Sequence, residues 1–170
     1  GRMKTATRCA VIGAGPIGNL TAQVLNNQGQ QVTVFNRSKF RLDFLNKNIN
    51  IQQTIHNLEQ YDLIVEASGN VKALEDVLSK SRTDATIVLL GFPYGNITYN
   101  FENLVGQEKV ILGSVGGASQ DFKQALELLP KLDTAEFTKT ILPLSEFAKG
   151  WDMHRNKEQL KVLFNVGGGV

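Results

Sequence analysis

Apolar and polar positions along this chain switch repeatedly between a strand-like and a helix-like period. Residues Arg8 to Ile12 make a short apolar run that reads as a buried strand, and Ile17, Leu20, Thr21, Val24 and Leu25 then recur at helical spacing until Gly29 stops the helix. Gln31 to Phe35 ("QVTVF") reads as a second strand from its β-branched content, and Phe40, Phe44 and Leu45 fit one face of a second helix. "NINIQQ" is a third, weaker strand. "DLIVEA", Asp62 to Ala67, is the next, followed by the stripe Val71, Leu74, Val77 and Leu78. "DATIVLLG", Asp84 to Gly91, is almost continuously apolar, as a central parallel strand buried on both faces would be. "KVILGSVGG" adds another strand, and Phe122, Ala125, Leu126 and Leu129 mark a helix that ends at Pro130. This alternation predicts an α/β fold: a doubly wound parallel sheet of about six strands with helices on both faces. From Phe137 onward the pattern changes to a short strand ("TKTILPL"), a helix starting near Ser145 and a last strand ("LKVLFNV").

Composition narrows the class. A chain of 170 residues, 42% hydrophobic and 20% charged, fits one soluble globular domain, with its core over about 7–135. The net charge of +2 comes from scattered basic residues, which argues against nucleic acid as a partner. The single cysteine, Cys9, allows no intramolecular disulfide and points to a reducing compartment; its place in an apolar run reads as an inert buried thiol. The run after Arg8 is broken by Gly13, Gly15 and Pro16, too soon for a signal-peptide core and far short of the ~20 residues of a membrane span. The expected location is cytoplasmic, with no membrane partner. Gly1 and Arg2, ahead of Met3, read as a cloning remnant.

The candidate chemistry starts at "CAVIGAGPIGNL". Gly13, Gly15 and Gly18 form G-x-G-x-x-G between a strand and a helix, with Ala14, Pro16 and Ile17 between them. In that setting the first glycine permits a tight turn, the second lets the backbone approach a pyrophosphate, and the third lets helix and strand pack closely. Amides at the helix start then face phosphate oxygens, aided by the helix dipole. A structural turn, or another nucleotide-like ligand such as S-adenosylmethionine, is the alternative. The second strand ends in "FNRSKFR", with Asn36 where NAD-preferring folds carry an acidic residue for the ribose 2′-hydroxyl. A carboxylate there would repel a 2′-phosphate. Arg37 can instead pair with it through its planar fork, with Ser38 and Lys39 as further donors and Arg41 as a weaker candidate. Taken alone these residues would be a solvated basic helix start; after the glycine loop they point to NADP, with NAD still open.

With these pieces in view, the chain resembles the nucleotide-binding half of the medium-chain dehydrogenase/reductase family, whose members include zinc alcohol, polyol and sugar dehydrogenases. The resemblance is carried by "VIGAGPIG", "YDLIVEASGN", "IVLLGFP", "VILGSVGG" and "LPLSEFAKGWD", the last similar to the segment by which that family's chain returns to its catalytic domain, here 136–166. Within the family it looks most like archaeal-type glucose dehydrogenases, whose acceptor strand similarly ends in Asn-Arg. The resemblance implies a Rossmann-type fold and places Ala67, Ser68 and Gly69 by the cofactor's ribose and pyrophosphate. It also places Leu90, Gly91 and Phe92 at the nicotinamide end, with Ser114 and Val115 opposite. Without a ligand, the same stretches would be ordinary strand-to-helix turns.

The family's catalytic zinc ligands and proton relay lie in a barrel-like domain ahead of the glycine loop, and here that loop starts at Gly13. The expectation is therefore a cofactor-binding unit that turns nothing over alone, with zinc confined to a parent enzyme. Cys9, His56 and His154 stand in no ligand-spaced motif, and Glu66, Asp62 and Asp152 read as strand-end or surface charges. Two other functions fit the same residues: a non-catalytic dinucleotide sensor, and a fragment of a shikimate-dehydrogenase-like enzyme with its own Asn-Arg-Ser strand end. The family's habit of pairing sixth strands across a two-fold axis implies a homodimer through "KVILGSV".

Overall fold

The computed structural model describes residues 8–167; Gly1 and Arg2, read as a remnant, lie outside them, as does most of the terminal glycine tail. The elements in chain order are β1 (Arg8–Ile12), α1 (Pro16–Asn27), β2 (Gln31–Phe35), α2 (Lys39–Leu42), β3 (Asn50–Gln52), β4 (Leu63–Glu66), α3 (Val71–Lys80), β5 (Thr86–Leu89), α4 (Phe101–Gly106) and β6 (Val110–Gly113). They continue with α5 (Ser119–Leu128), α6 (Ala135–Thr138), β7 (Ile141–Pro143), α7 (Phe147–Arg155) and β8 (Leu163–Asn165).

Six of the strands form one parallel sheet in the order β3-β2-β1-β4-β5-β6. The period of two within β1 sends Cys9 and Val11 into one apolar layer with Ala22, Val32, Val34 and Val65. Ala10 and Ile12 enter the opposite layer with Phe35, Ile64, Leu74, Val77 and Ile87. The order reverses between β1 and β4, so the crevice at their carboxyl ends is where such sheets hold ligands. β7 and β8 form a separate two-stranded parallel sheet. Its partner α7 stacks Phe147 on Trp151 and against Phe164.

Several elements differ from the pattern. α1 buries Gly18, Asn19, Ala22 and Gln23, while Ile17, Leu20, Thr21, Val24 and Leu25 border a surface groove, with Leu25 also packed against the layer of Cys9 and Val11. A polar ladder causes this: Gln23 Nε2 donates to Asn19 Oδ1 at 2.7 Å and to the Asp133 carbonyl, and Asp133 N–H donates back to Gln23 Oε1 at 2.7 Å. The buried amides thus tie α1 to the chain beyond α5, where apolar periodicity carries no signal. The second helix is a single turn, with Phe40 set edge-on to Phe44. α4 occupies the stretch between β5 and β6 that showed no apolar stripe. In β5 only Ile87 is fully buried, and Phe122 and Leu126 of α5 stand 67% and 69% exposed, so this helix covers little of the sheet.

Glu66 corrects an expectation. It ends β4, as a strand-end charge would, but it is fully buried and not a surface residue. Its carboxylate accepts from the N–H groups of Ser68 (2.8 Å) and Gly69 (3.2 Å) and from the Ser68 hydroxyl. Three donors replace the water it has lost. A side chain on Gly91 would meet Gly69 N at 2.3 Å and Glu66 Oε2 at 2.5 Å. The ends of β4 and β5 are therefore locked face to face.

Replacing Glu66 with Ala strands two backbone donors, and the expected loss is about 2–4 kcal/mol in urea unfolding, with Glu66→Gln intermediate. Burial, with Asp62 adding to it, pushes the Cys9 thiol up to about 11. Below pH 9 the thiol is protonated folded or unfolded; between 9 and 11 only the unfolded chain ionises, so stability falls across that window. Urea midpoints at pH 8 and pH 10.5 should therefore diverge more in the wild type than in Cys9→Val, and Cys9 should resist thiol reagents until the chain unfolds.

Candidate functional site

The glycine loop is held at both ends. Gly13, at φ +105°, donates its N–H to the Phe35 carbonyl at 2.8 Å, tying the turn to the end of β2. A Cβ on Gly18 would sit 1.9 Å from the Gly13 carbonyl oxygen, so only glycine lets α1 start this close to the loop. Ala14 N–H donates to Asn36 Oδ1 at 3.2 Å, and Asn36 Nδ2 donates to the Ser38 carbonyl at 2.9 Å. The asparagine that replaces the usual acid thus fastens loop and acceptor strand together.

Around this loop opens a cleft of about 730 Å³, within the range of small-molecule sites. It is lined by Ile12, Gly13 and Gly15 at the loop, by Ala67, Ser68 and Gly69 after β4, and by Asn36, Arg37, Ser38 and Arg41 after β2. Nine of the sequence-derived candidates are therefore brought together. Ala14 is buried behind the loop, and Pro16, Ile17 and Gly18 belong to α1 beyond the lining. Lys39 is ion-paired with Asp43 at 2.9 Å, outside the cleft wall. Leu90, Gly91, Phe92, Ser114 and Val115 also lie outside this lining, with Phe92 and Val115 strongly exposed.

Sequence patterns missed the rest of the lining: Ile12 and Phe35 at the ends of β1 and β2, Gln53, Thr54 and Ile55 after β3, Asn70 at the start of α3, Lys72, Ala73 and Asp76 on α3, and Lys157. The signal for the α3 residues was present in Asn70, a helix N-cap whose Oδ1 accepts from Ala73 N–H at 3.0 Å. Lys157 carries no motif.

The cleft is built for anions. Gly15 caps α1 without a side-chain bond, Pro16 opens the helix, and no acid stands in its first turn, so its leading amides lack intrahelical partners. Arg41 reaches over the loop: a Cβ on Gly15 would lie 3.1 Å from Nη1, and Nε is buried with no hydrogen-bond partner. Burial also pushes the Arg41 guanidinium below its usual pKa, a penalty that a phosphate beside it would relieve. The one acid in the lining, Asp76, is taken by Lys80 at 2.5 Å. A dinucleotide's pyrophosphate fits this donor set.

Metal chemistry finds no comparable set. His56 lies edge-on to Phe35 with Nδ1 at the Thr54 carbonyl, His154 tilts against Trp151, and Cys9 is sealed in the core. Among the described residues no three His, Cys, Asp or Glu side chains gather in a group that could hold a metal ion. No helix among the described residues is long and apolar enough to cross a membrane.

Residues 16–131 match the family model described as zinc-binding dehydrogenase. Among curated proteins, an L-threonine 3-dehydrogenase of Aliivibrio fischeri is 27% identical, over 91% of this chain and 50% of its own length. Among solved structures, 2R,3R-butanediol dehydrogenase from Bacillus subtilis superposes with TM-score 0.82 at 19% identity, covering 98% of this chain and 52% of that one. An Escherichia coli CFT073 protein described as a short chain alcohol dehydrogenase complexed with NADH gives TM-score 0.79 at 20% identity, over 93% and 51%. The chain thus spans about half the length of the relatives it matches. By that match over residues 16–131, this chain belongs to the zinc-binding dehydrogenase family and corresponds to its NAD(P)-binding domain.

Proposed function

We propose that the cleft binds NADP(H) in preference to NAD(H), and that the domain serves an alcohol, polyol or sugar dehydrogenase whose zinc site lies in another part of the enzyme. The bound nicotinamide supplies hydride to, or takes it from, a carbon bearing a hydroxyl or carbonyl. The observation that carries the preference is the end of β2. No carboxylate lines the cleft there, Asn36 is engaged with Ala14 and Ser38, and Arg37 and Ser38 belong to the lining. A 2′-phosphate adds roughly 1.5 to 2 negative charges, and the Arg37 fork meets it with paired N–H donors.

The remaining roles follow the cleft. Arg41 and the leading amides of α1 hold the pyrophosphate, and Phe35, Ile55 and Ala73 supply apolar wall for the adenine. Ala67, Ser68 and Gly69 border the riboses on a turn that Glu66 keeps rigid. Leu90, Gly91 and Phe92 continue along the carboxyl end of the sheet to the nicotinamide, with Ser114 and Val115 facing them. β6 is the edge of the sheet and leaves Val110 and Leu112 partly exposed, which supports a homodimer through that strand.

Two measurements test this. NADPH should bind at least about tenfold more tightly than NADH, and Arg37→Ala should remove most of that ratio; equal affinities, or an unchanged ratio, would refute the preference. Light scattering should give a dimeric mass that Leu112→Lys shifts to the monomer, and a monomeric wild type would rule out the strand pairing.

A further inference from the structure

One cleft residue comes from far outside the glycine-loop half of the chain. Lys157 follows α7, in the unit formed by β7, α7 and β8, yet it lines the same cleft as Lys72, Ala73 and Asp76 of α3. Its backbone is unusual. α7 ends at Arg155 with Asn156 as its C-cap, and Lys157 then takes φ +59°, with its N–H on the His154 carbonyl (3.1 Å) and the Glu158 N–H on the Met153 carbonyl (3.1 Å). This is the left-handed position after a helix where glycine is the usual occupant. Four non-glycine residues among those described have positive φ, and Lys157 alone of them lines the cleft. A lysine here accepts backbone strain that glycine would avoid, and it puts a basic residue in the cleft lining. No carboxylate among the described residues pairs with it, and the one acid nearby, Asp76, is engaged by Lys80.

We infer that Lys157 is a cofactor-binding residue contributed by the C-terminal unit, holding the adenosine-phosphate half of the dinucleotide in the cleft it shares with Arg37. The assignment rests on the dinucleotide reading above. The half is argued from the lining as a whole: beside the glycine loop and the Ala67–Gly69 turn it takes in α3 and the ends of β2 and β3, and it excludes Leu90, Gly91, Phe92, Ser114 and Val115. The ligand chemistry is thus a phosphorylated adenosine. One lysine joins the C-terminal unit to the six-stranded sheet through the ligand itself.

The probe is adenosine 2′,5′-bisphosphate, followed by calorimetry and by the fluorescence of Trp151, the single tryptophan, which lies on α7. Lys157→Ala should weaken binding about fivefold, the scale of one exposed charged contact, and Lys157→Arg should restore most of it. Lys157→Gly should weaken binding equally while holding Tm or raising it by up to about 3 °C, because glycine relieves the left-handed strain. Affinity and stability moving in opposite directions is a result that a merely structural lysine cannot give. Lys157→Ala binding as the wild type does, or Lys157→Gly losing affinity and Tm together, would overturn the assignment. If the wild type bound no adenosine phosphate at all, the dinucleotide reading would fall with it, whereas a wild type that responds to Arg37→Ala and not to Lys157→Ala would sink Lys157 alone.

Discussion

Between the α-carbon of Gly18 and the carbonyl of Gly13 there is no space for one more carbon atom, and much of the architecture follows from that contact. The close approach lets α1 begin directly at the carboxyl end of β1, so its first amides open onto the crevice where the strand order reverses. Any side chain at residue 18 would push the helix off the loop. The loop would then lose its hydrogen bonds to Phe35 and Asn36, and the cleft lining after β2 would separate from that at the end of β1. The binding site is in this sense a packing consequence before it is a chemical one.

A second set of constraints is polar and buried. Glu66 braces the Ser68–Gly69 turn, and Asn19 and Gln23 fasten α1 to residues 44 and 133. Such groups are costly to bury unless each finds partners, and these do. The apolar layers bring the elements together. The polar contacts decide their angles and ends, and the cleft is formed at those ends.

This division explains what could be read in advance. Strand identity, sheet direction and the glycine loop were legible because burial imposes periods of two and 3.6 on residues such as Val32, Val34, Leu74 and Val77. The helix α1 is legible from its spacing, but its fully buried positions, Gly18, Asn19, Ala22 and Gln23, are not, because none of them is large and apolar. Glu66 was misplaced for a related reason: three hydrogen-bond donors made a core position fit for a charge, and those donors are backbone and serine groups without a pattern of their own. Of the cleft lining, the glycine loop, the end of β2 and the turn after β4 carry sequence patterns. Thr54, Lys72 and Lys157 do not, since they reach the cleft through the sheet's topology and not through spacing along the chain.

The two bonds of Asn36 bear on what charge the end of β2 can carry. One of its side-chain atoms accepts from Ala14 and the other donates to the Ser38 carbonyl. Aspartate would keep the first bond and set an oxygen against a carbonyl in place of the second, so the change that would attract a ribose hydroxyl also loosens the loop. An acid at this position would therefore need a compensating change near Ser38 before the loop could keep its place, so the geometry of the loop and the charge at the end of β2 are not independent.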